Sequence, residues 1–186
     1  MRGRSPIATG VRVELHRPRP ADATEFCAAA TASRDLHGSW LKAPDDRDSF
    51  LVYVERLRRA TAVGYLIRRT DTGALAGFVN VNDISGGALC SASLGYAAFT
   101  PHDRQGLLRE GVALVLDQAF GPLGLHRIEA NVQPGNDQSA ALVRALGFRM
   151  EGFSPRFLYV AGDWRDHVRW ALLSDEWLAR EAAAGA

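Results

Sequence analysis

The chain has 186 residues, 47% of them hydrophobic and 23% charged, with a formal net charge of +1. That length and composition suit one globular domain with a sizeable buried core. The near-zero charge excludes the basic footprint of a nucleic-acid binder and any strong field that would steer an acidic partner.

Residues 1–10, MRGRSPIATG, carry basic side chains without an apolar stretch. They are no secretory signal and read as a flexible tail, leaving 11–186 as a single domain. No apolar run approaches about 18 residues, so no membrane span is expected and the chain reads as cytoplasmic. Alternation in VRVEL (11–15) predicts a strand. A helix follows over 19–33 with Asp22 as its cap, then an irregular aromatic stretch over 34–44. The segment 45–60 is an amphipathic helix with Phe50, Val54 and Leu57 on one face. Strands over 62–69 and 74–84, joined by a turn at Asp71-Thr72-Gly73, predict a hairpin. A third strand covers 88–99. The helix over 104–120 carries Leu108, Val112, Val115, Leu116 and Ala119 as one stripe. In the strand over 125–132, Ile128, Ala130 and Val132 share a face and Asn131 looks the other way. A short helix spans 137–146. Strands fill 147–173 around a turn at Ala161-Gly162-Asp163, and a last helix over 174–184 starts with Ser174 as cap. This order predicts a mixed α/β (α+β) sheet covered by helices. The two cysteines, Cys27 and Cys90, are far apart and lack ligand spacing; they read as small apolar residues. No His/Cys cluster has metal-ligand spacing.

Two strand-loop-helix units stand out, 94–120 and 126–146. A helix N-terminus offers free N–H groups and a positive dipole end, which suits a phosphate. Gly106 lets the backbone of HDRQGLLREG (102–111) approach a ligand closely, and Arg104 or Arg109 can add charge-assisted bonds. The G-x-x-x-x-G-K-[ST] and G-x-G-x-x-G spacings are both absent, so this is neither a P-loop nor a Rossmann fingerprint. At the second mouth Asn136 occupies an N-cap position, with Ser139 three residues on.

LGY (94–96) leading to RQGLLREG, then HRIEANVQPGNDQSAALVRALGFRMEG (126–152), then GDWRDHVRWAL (162–172), resembles the GNAT superfamily of acetyl-CoA-dependent N-acetyltransferases. Within it the chain is similar to the Rim branch, the ribosomal-protein alanine N-acetyltransferases, from about Val13 to Trp177. The resemblance implies a mixed, mostly antiparallel sheet in which two central parallel strands, 89–99 and 126–132, splay apart. It implies acetyl-CoA as donor substrate and no metal. The pantetheine arm would pair with the first of those strands at Ala97, Ala98 and Phe99. The pyrophosphate would sit on Arg104, Gln105, Gly106, Leu107, Leu108 and Arg109, with Asn131 and Asn136 also near CoA. The family loop begins with Gln or Arg where this chain has Asp103, a carboxylate that would repel pyrophosphate unless it points away. Arg104 stands where the branch often has glycine.

The reaction needs a neutral amine, a polarised carbonyl and a proton for the departing thiolate. An α-amine has a pKa of roughly 7.7 to 8.0, so about a tenth is neutral at pH 7, whereas lysine near 10.4 would need far more help. This favours an N-terminal amine, or a similarly weak one, over lysine as acceptor. The tyrosine that many GNAT enzymes use as acid falls at Val143, and the Rim branch implies Ser139 in that role. A backbone N–H between Ala97 and Phe99 would polarise the carbonyl. Glu129, Glu151, Asp83, His102 and His167 are the candidate bases. Trp40, Asn80, Asn82, Phe157 and Tyr159 are the expected acceptor-pocket lining. Two other readings stay open: acetylation of a small amine (antibiotic, polyamine or amino acid), and a CoA-binding domain without turnover, which Asp103 and Arg104 favour. A homodimer through the terminal hairpin is a further expectation.

Overall fold

Eight strands form one sheet in a computed structural model that describes residues 5–184. They are β1 (Ala8–Thr9), β2 (Val13–His16), β3 (Val63–Arg69), β4 (Leu75–Ser85), β5 (Ser91–Ala98), β6 (Arg127–Val132), β7 (Arg149–Val160) and β8 (Asp163–Leu173). Their order across the sheet is β1-β2-β3-β4-β5-β6-β8-β7. Every neighbouring pair is antiparallel except β5 and β6, which are parallel. The helices are α1 (Ala23–Ala32), α2 (Arg34–His37), α3 (Arg47–Arg56), α4 (Leu107–Phe120), α5 (Asp137–Ala145) and α6 (Ser174–Ala184). Among the described residues no helix is long and apolar enough to cross a membrane.

Side chains alternate across a strand, and here the alternation separates two cores. Tyr65, Ile67, Val79 and Val81 pack with Val112, Val115 and Leu116 of α4, Val143 of α5 and Trp177 of α6. Leu66 and Phe78, in the opposite parity, pack with Phe26 of α1 and Phe50, Tyr53 and Val54 of α3. Phe26 is the hub of that second core, with ring centroids 4.8 Å from Phe50, 5.4 Å from Phe78 and 5.2 Å from Phe99. Helices therefore cover both faces of the central sheet.

The structure differs from the sequence reading at several edges. The stretch read as a tail joins the sheet: Ala8–Thr9 pairs with β2, and Ile7 N–H donates to the Leu15 carbonyl at 2.7 Å. Residues 1–4 of that stretch lie outside the described residues. The segment 34–44 contains one short helix, α2. The third strand begins at Ser91, just after Cys90, whose φ of 39° interrupts the extended backbone. Helix α4 starts at Leu107, after Arg104 and Gly106 with φ of 56° and 77°. The shift puts Leu107 in the core and leaves Leu108 only half-buried. The Asp22 carboxylate accepts from Arg19 N–H and makes no cap bond to α1. Glu176, not Ser174, serves the start of α6, its carboxylate accepting from Leu173 N–H at 2.8 Å. Both cysteines are free and partly buried.

Candidate active site

The parallel pairing of β5 with β6 runs from Ser91/Arg127 to Leu94/Ala130 and stops there. Beyond it the strands splay, leaving β5 residues 95–98 without a partner on that side. Antiparallel ladders alternate the direction of their N–H and C=O groups. Phe99 N–H donates to the Ala76 carbonyl of the β4 side at 2.8 Å. By the same parity Ala97 also points to β4, while Tyr96 and Ala98 point into the gap. The N–H able to polarise a carbonyl therefore belongs to Tyr96 or Ala98, not to Ala97 or Phe99. Phe99 is fully buried in the second core. The Ala98 carbonyl already accepts a hydrogen bond from His37 Nε2 at 2.9 Å. Only a protonated nitrogen can donate to a carbonyl, so that contact fixes the imidazole hydrogen on Nε2.

A cavity of about 730 Å³ opens on one side of the gap. The expected residues Ala97, Ala98, Arg104, Gly106, Leu108, Arg109 and Asn136 line it, together with Ser139. Gln105 and Leu107 do not. The Gln105 side-chain amide donates to the Pro101 carbonyl, the Gln105 backbone carbonyl accepts from Arg12, and Leu107 sits in the core. Asp103 also lines this cavity, with Arg104 Nε 3.9 Å from its carboxylate. The Arg104 side chain makes no other ion pair among the described residues and is 74% exposed. Left-handed Gly106 turns the chain so that α4 presents its first amides to the cavity, which fits an anionic diphosphate. Unpaired N–H groups on β5 fit an extended, amide-bearing arm.

A second cavity of about 780 Å³ lies on the other side and shares Trp40, Leu41, Tyr96, Asn136 and Ser139 with the first. Trp40, Asn80, Asn82 and Phe157 line it as expected. Tyr159 does not; it is 63% exposed and packs edge-on against Trp164. Asn131, expected beside CoA, lines this cavity instead of the first, and its Oδ1 is buried without a partner. Asn80 and Asn82 are held by their carbonyl ends, which accept from Tyr53 Oη at 2.8 Å and Arg56 Nη1 at 2.9 Å.

Where the cavities meet, Asn136 Oδ1 accepts from Ser139 N–H at 3.1 Å, an N-cap on α5. The Ser139 hydroxyl is 2.7 Å from the Tyr96 hydroxyl. Burial pushes the Tyr96 phenol up to about 12, the bond to Ser139 pulling the other way. Sequence reasoning missed Tyr96 as a site residue, although it ends the LGY block. Val143 is fully in the core.

The candidate bases separate clearly. Glu129, Asp83 and His167 line the second cavity, and His102 lines the first. Glu151 reaches neither. Arg127 grips it and, with Arg149, holds its carboxyl below the usual range.

The acetyltransferase (GNAT) domain model matches residues 12–149, and the chain belongs to that family; it is an acyltransferase. It is 33% identical over 163 residues to the "Probable N-acetyltransferase YjcK" of Bacillus subtilis, covering 83% of this chain and 90% of that protein. It is 32% identical over 107 residues to the ribosomal protein uS5-alanine N-acetyltransferase of Escherichia coli, a match covering 58% of this chain and 55% of that one. Among solved structures, Mycobacterium smegmatis RimJ in complex with CoA-disulfide superposes with a TM-score of 0.81 at 29% identity, covering 93% of this chain and 89% of that one. The expected fold, a mostly antiparallel sheet with one splayed parallel pair, is the fold observed.

Proposed function

We propose that this enzyme transfers the acetyl group of acetyl-CoA to the N-terminal α-amine of a protein, by direct attack in a ternary complex. The carrying observation is the meeting of two cavities at Tyr96 and Ser139, across the gap between β5 and β6. In this reading the first cavity holds the donor. Its diphosphate lies on the amides after Gly106 beside Arg104 and Arg109, and its arm pairs with the free groups of Tyr96 and Ala98. The uS5-alanine enzyme of E. coli supports the choice of acceptor.

The second cavity supports it independently. Its charged side chains are Lys42, Arg56, Asp83 and Glu129, two of each sign, and Glu129 is already paired with Arg127 at 2.9 Å. A polyamine would want a surplus of carboxylates. The remaining wall mixes apolar side chains (Trp40, Leu41, Phe78, Leu89) with amides, which suits a short extended peptide.

Ser139 serves the leaving group. When the phenol of Tyr96 donates to Ser139 Oγ, the serine hydrogen is free to bond the departing thiolate, and a chain of two hydroxyls strengthens that bond. An acetyl-CoA turnover assay over N-terminal peptides and small amines tests the reading. Peptides beginning with alanine or serine are expected to react at least tenfold faster, by kcat/KM, than spermidine or free amino acids. A faster small amine would overturn the protein-acceptor assignment.

A further inference from the structure

Two acceptor atoms without hydrogen-bond partners among the described residues belong to side chains that line the second cavity, on adjacent strands and on the same face of the sheet. One is Asn131 Oδ1 on β6, buried and unpartnered. The other is Nε2 of His167 on β8. His167 is 2% exposed, yet it lines the cavity. Its Nδ1 lies 2.9 Å from the Arg165 carbonyl oxygen, which can only accept. The hydrogen therefore sits on Nδ1, and Nε2 carries a bare lone pair with no hydrogen bond among the described residues. The register explains the juxtaposition. Asn131 pairs with Arg169 and Val132 with Val168, so His167, two residues from Arg169, is the diagonal neighbour of Asn131. Phe157 of β7 sets its ring edge-on against the imidazole, 6.1 Å between centroids, and fixes its plane.

We propose that His167 Nε2 is the general base that takes a proton from the acceptor ammonium, while Asn131 Oδ1 accepts a second N–H of the same nitrogen. This rests on the acetyl-transfer reading above. The step balances simply. The nitrogen gives one proton to Nε2, and its freed lone pair forms the C–N bond. The C–S electron pair departs with sulfur, whose charge the Ser139 hydroxyl meets. The nitrogen, now bonded to the acyl carbon, gives its second proton to the thiolate by way of the Ser139 hydroxyl, which leaves the neutral amide and the CoA thiol, and the imidazolium releases its proton to water. Burial holds the His167 imidazole below its ordinary pKa, outweighing the opposing pulls of the Arg165 carbonyl and Asp166. The other charged side chains lining this cavity are Glu129 on β6 and Lys42, Arg56 and Asp83 around it, and Arg165 and Arg169 share the His167 face of β8 by strand alternation.

The test is the pH profile of kcat/KM for an N-terminal peptide, wild type against His167→Asn. Asparagine keeps a donor for the Arg165 carbonyl and removes the lone pair. Wild type is expected to keep its rate down to a pH lower than the ordinary histidine value of about 6.5, in the direction of the His167 shift. The variant is expected to be about 100-fold slower at pH 7, in the range for loss of a general base. Its deficit should narrow to about tenfold at pH 9, because the α-amine with pKa of roughly 7.7 to 8.0 is then already neutral. An equal loss at every pH, or none, overturns the assignment. Melting temperature and acetyl-CoA KM, expected unchanged in the variant, identify a folding defect. In that case Asn131→Leu, expected to raise peptide KM about tenfold at constant acetyl-CoA KM, carries the test, and no change overturns the site. Absence of wild-type turnover with every amine would instead sink the acetyl-transfer reading. Nitrogen NMR of the labelled imidazole then decides the base separately: a hydrogen on Nε2 at pH 7 overturns it.

Discussion

Ser139 and Tyr96 form a hydroxyl pair whose two halves have different sequence visibility. Ser139 stands three residues from Asn136, and an N-cap bond is a local event that a short window reveals. Tyr96 is 43 residues away from Ser139, and only the placement of α5 against the splayed end of β5 brings the hydroxyls together. Ser139→Ala is expected to lower kcat by roughly 10- to 100-fold, the lower end of proton-transfer effects, while acetyl-CoA KM changes less than about twofold. Steady-state kinetics check this, and an unchanged kcat removes Ser139 from the mechanism. Tyr96→Phe should lower kcat by less, since Ser139 keeps its own hydrogen. Asn136→Ala should cost about 1 kcal/mol, the usual value of an N-cap, read by denaturant unfolding. Of the five candidate bases, sequence alone could rank none. What distinguishes His167 is its tautomer and its outlook, and both depend on tertiary neighbours.

At the scale of elements, α4 is held close to the sheet by a glycine. A Cβ at Gly111 would stand 2.4 Å from Ile67 Cδ1 and 2.7 Å from its Cγ1, so the helix lies against β3 with no room for a methyl group. Gly111→Ala should destabilise the fold by about 1–3 kcal/mol. The melting temperature would drop by roughly 2–4 °C per kcal/mol for a chain of this size. An unchanged melting temperature would show that Ile67 repacks freely. The start of the same helix tests the donor site. Arg104→Gly removes an exposed cation and a left-handed residue that costs about 1–2 kcal/mol when it is not glycine. It should therefore raise stability while raising acetyl-CoA KM severalfold, an effect that added salt erases. A KM that stays constant would exclude Arg104 as a phosphate contact. The helix itself was readable from its apolar stripe. Its first residue was not, because the three-residue delay comes from backbone dihedrals at Arg104 and Gly106 that no side-chain pattern encodes.

Across the whole molecule the proposed site depends on the parting of the one parallel pair in the sheet, β5 and β6, after Leu94 and Ala130. There the backbone groups of Tyr96 and Ala98 lose their strand partner, and the two cavities join. A ligand that binds only the folded state raises its stability by RT ln(1 + [L]/Kd), about 2.7 kcal/mol at a hundredfold excess over Kd. Acetyl-CoA at that excess should raise the melting temperature by roughly 5–10 °C. No shift at millimolar acetyl-CoA would contradict the donor site.

The order of helices and strands, the two helix mouths, the Asn136 cap and the family pattern were legible along the chain. All of these rest on periodicity, local hydrogen bonding or residue spacing along the chain. Long-range packing set which backbone amides face the gap, put Asn131 and His167 beside the same second cavity and brought Tyr96 to Ser139. The physical reason is the same in each case. Sheet parity and strand register join residues distant in the chain, and a shift of one residue in either would turn each of these groups to the opposite face.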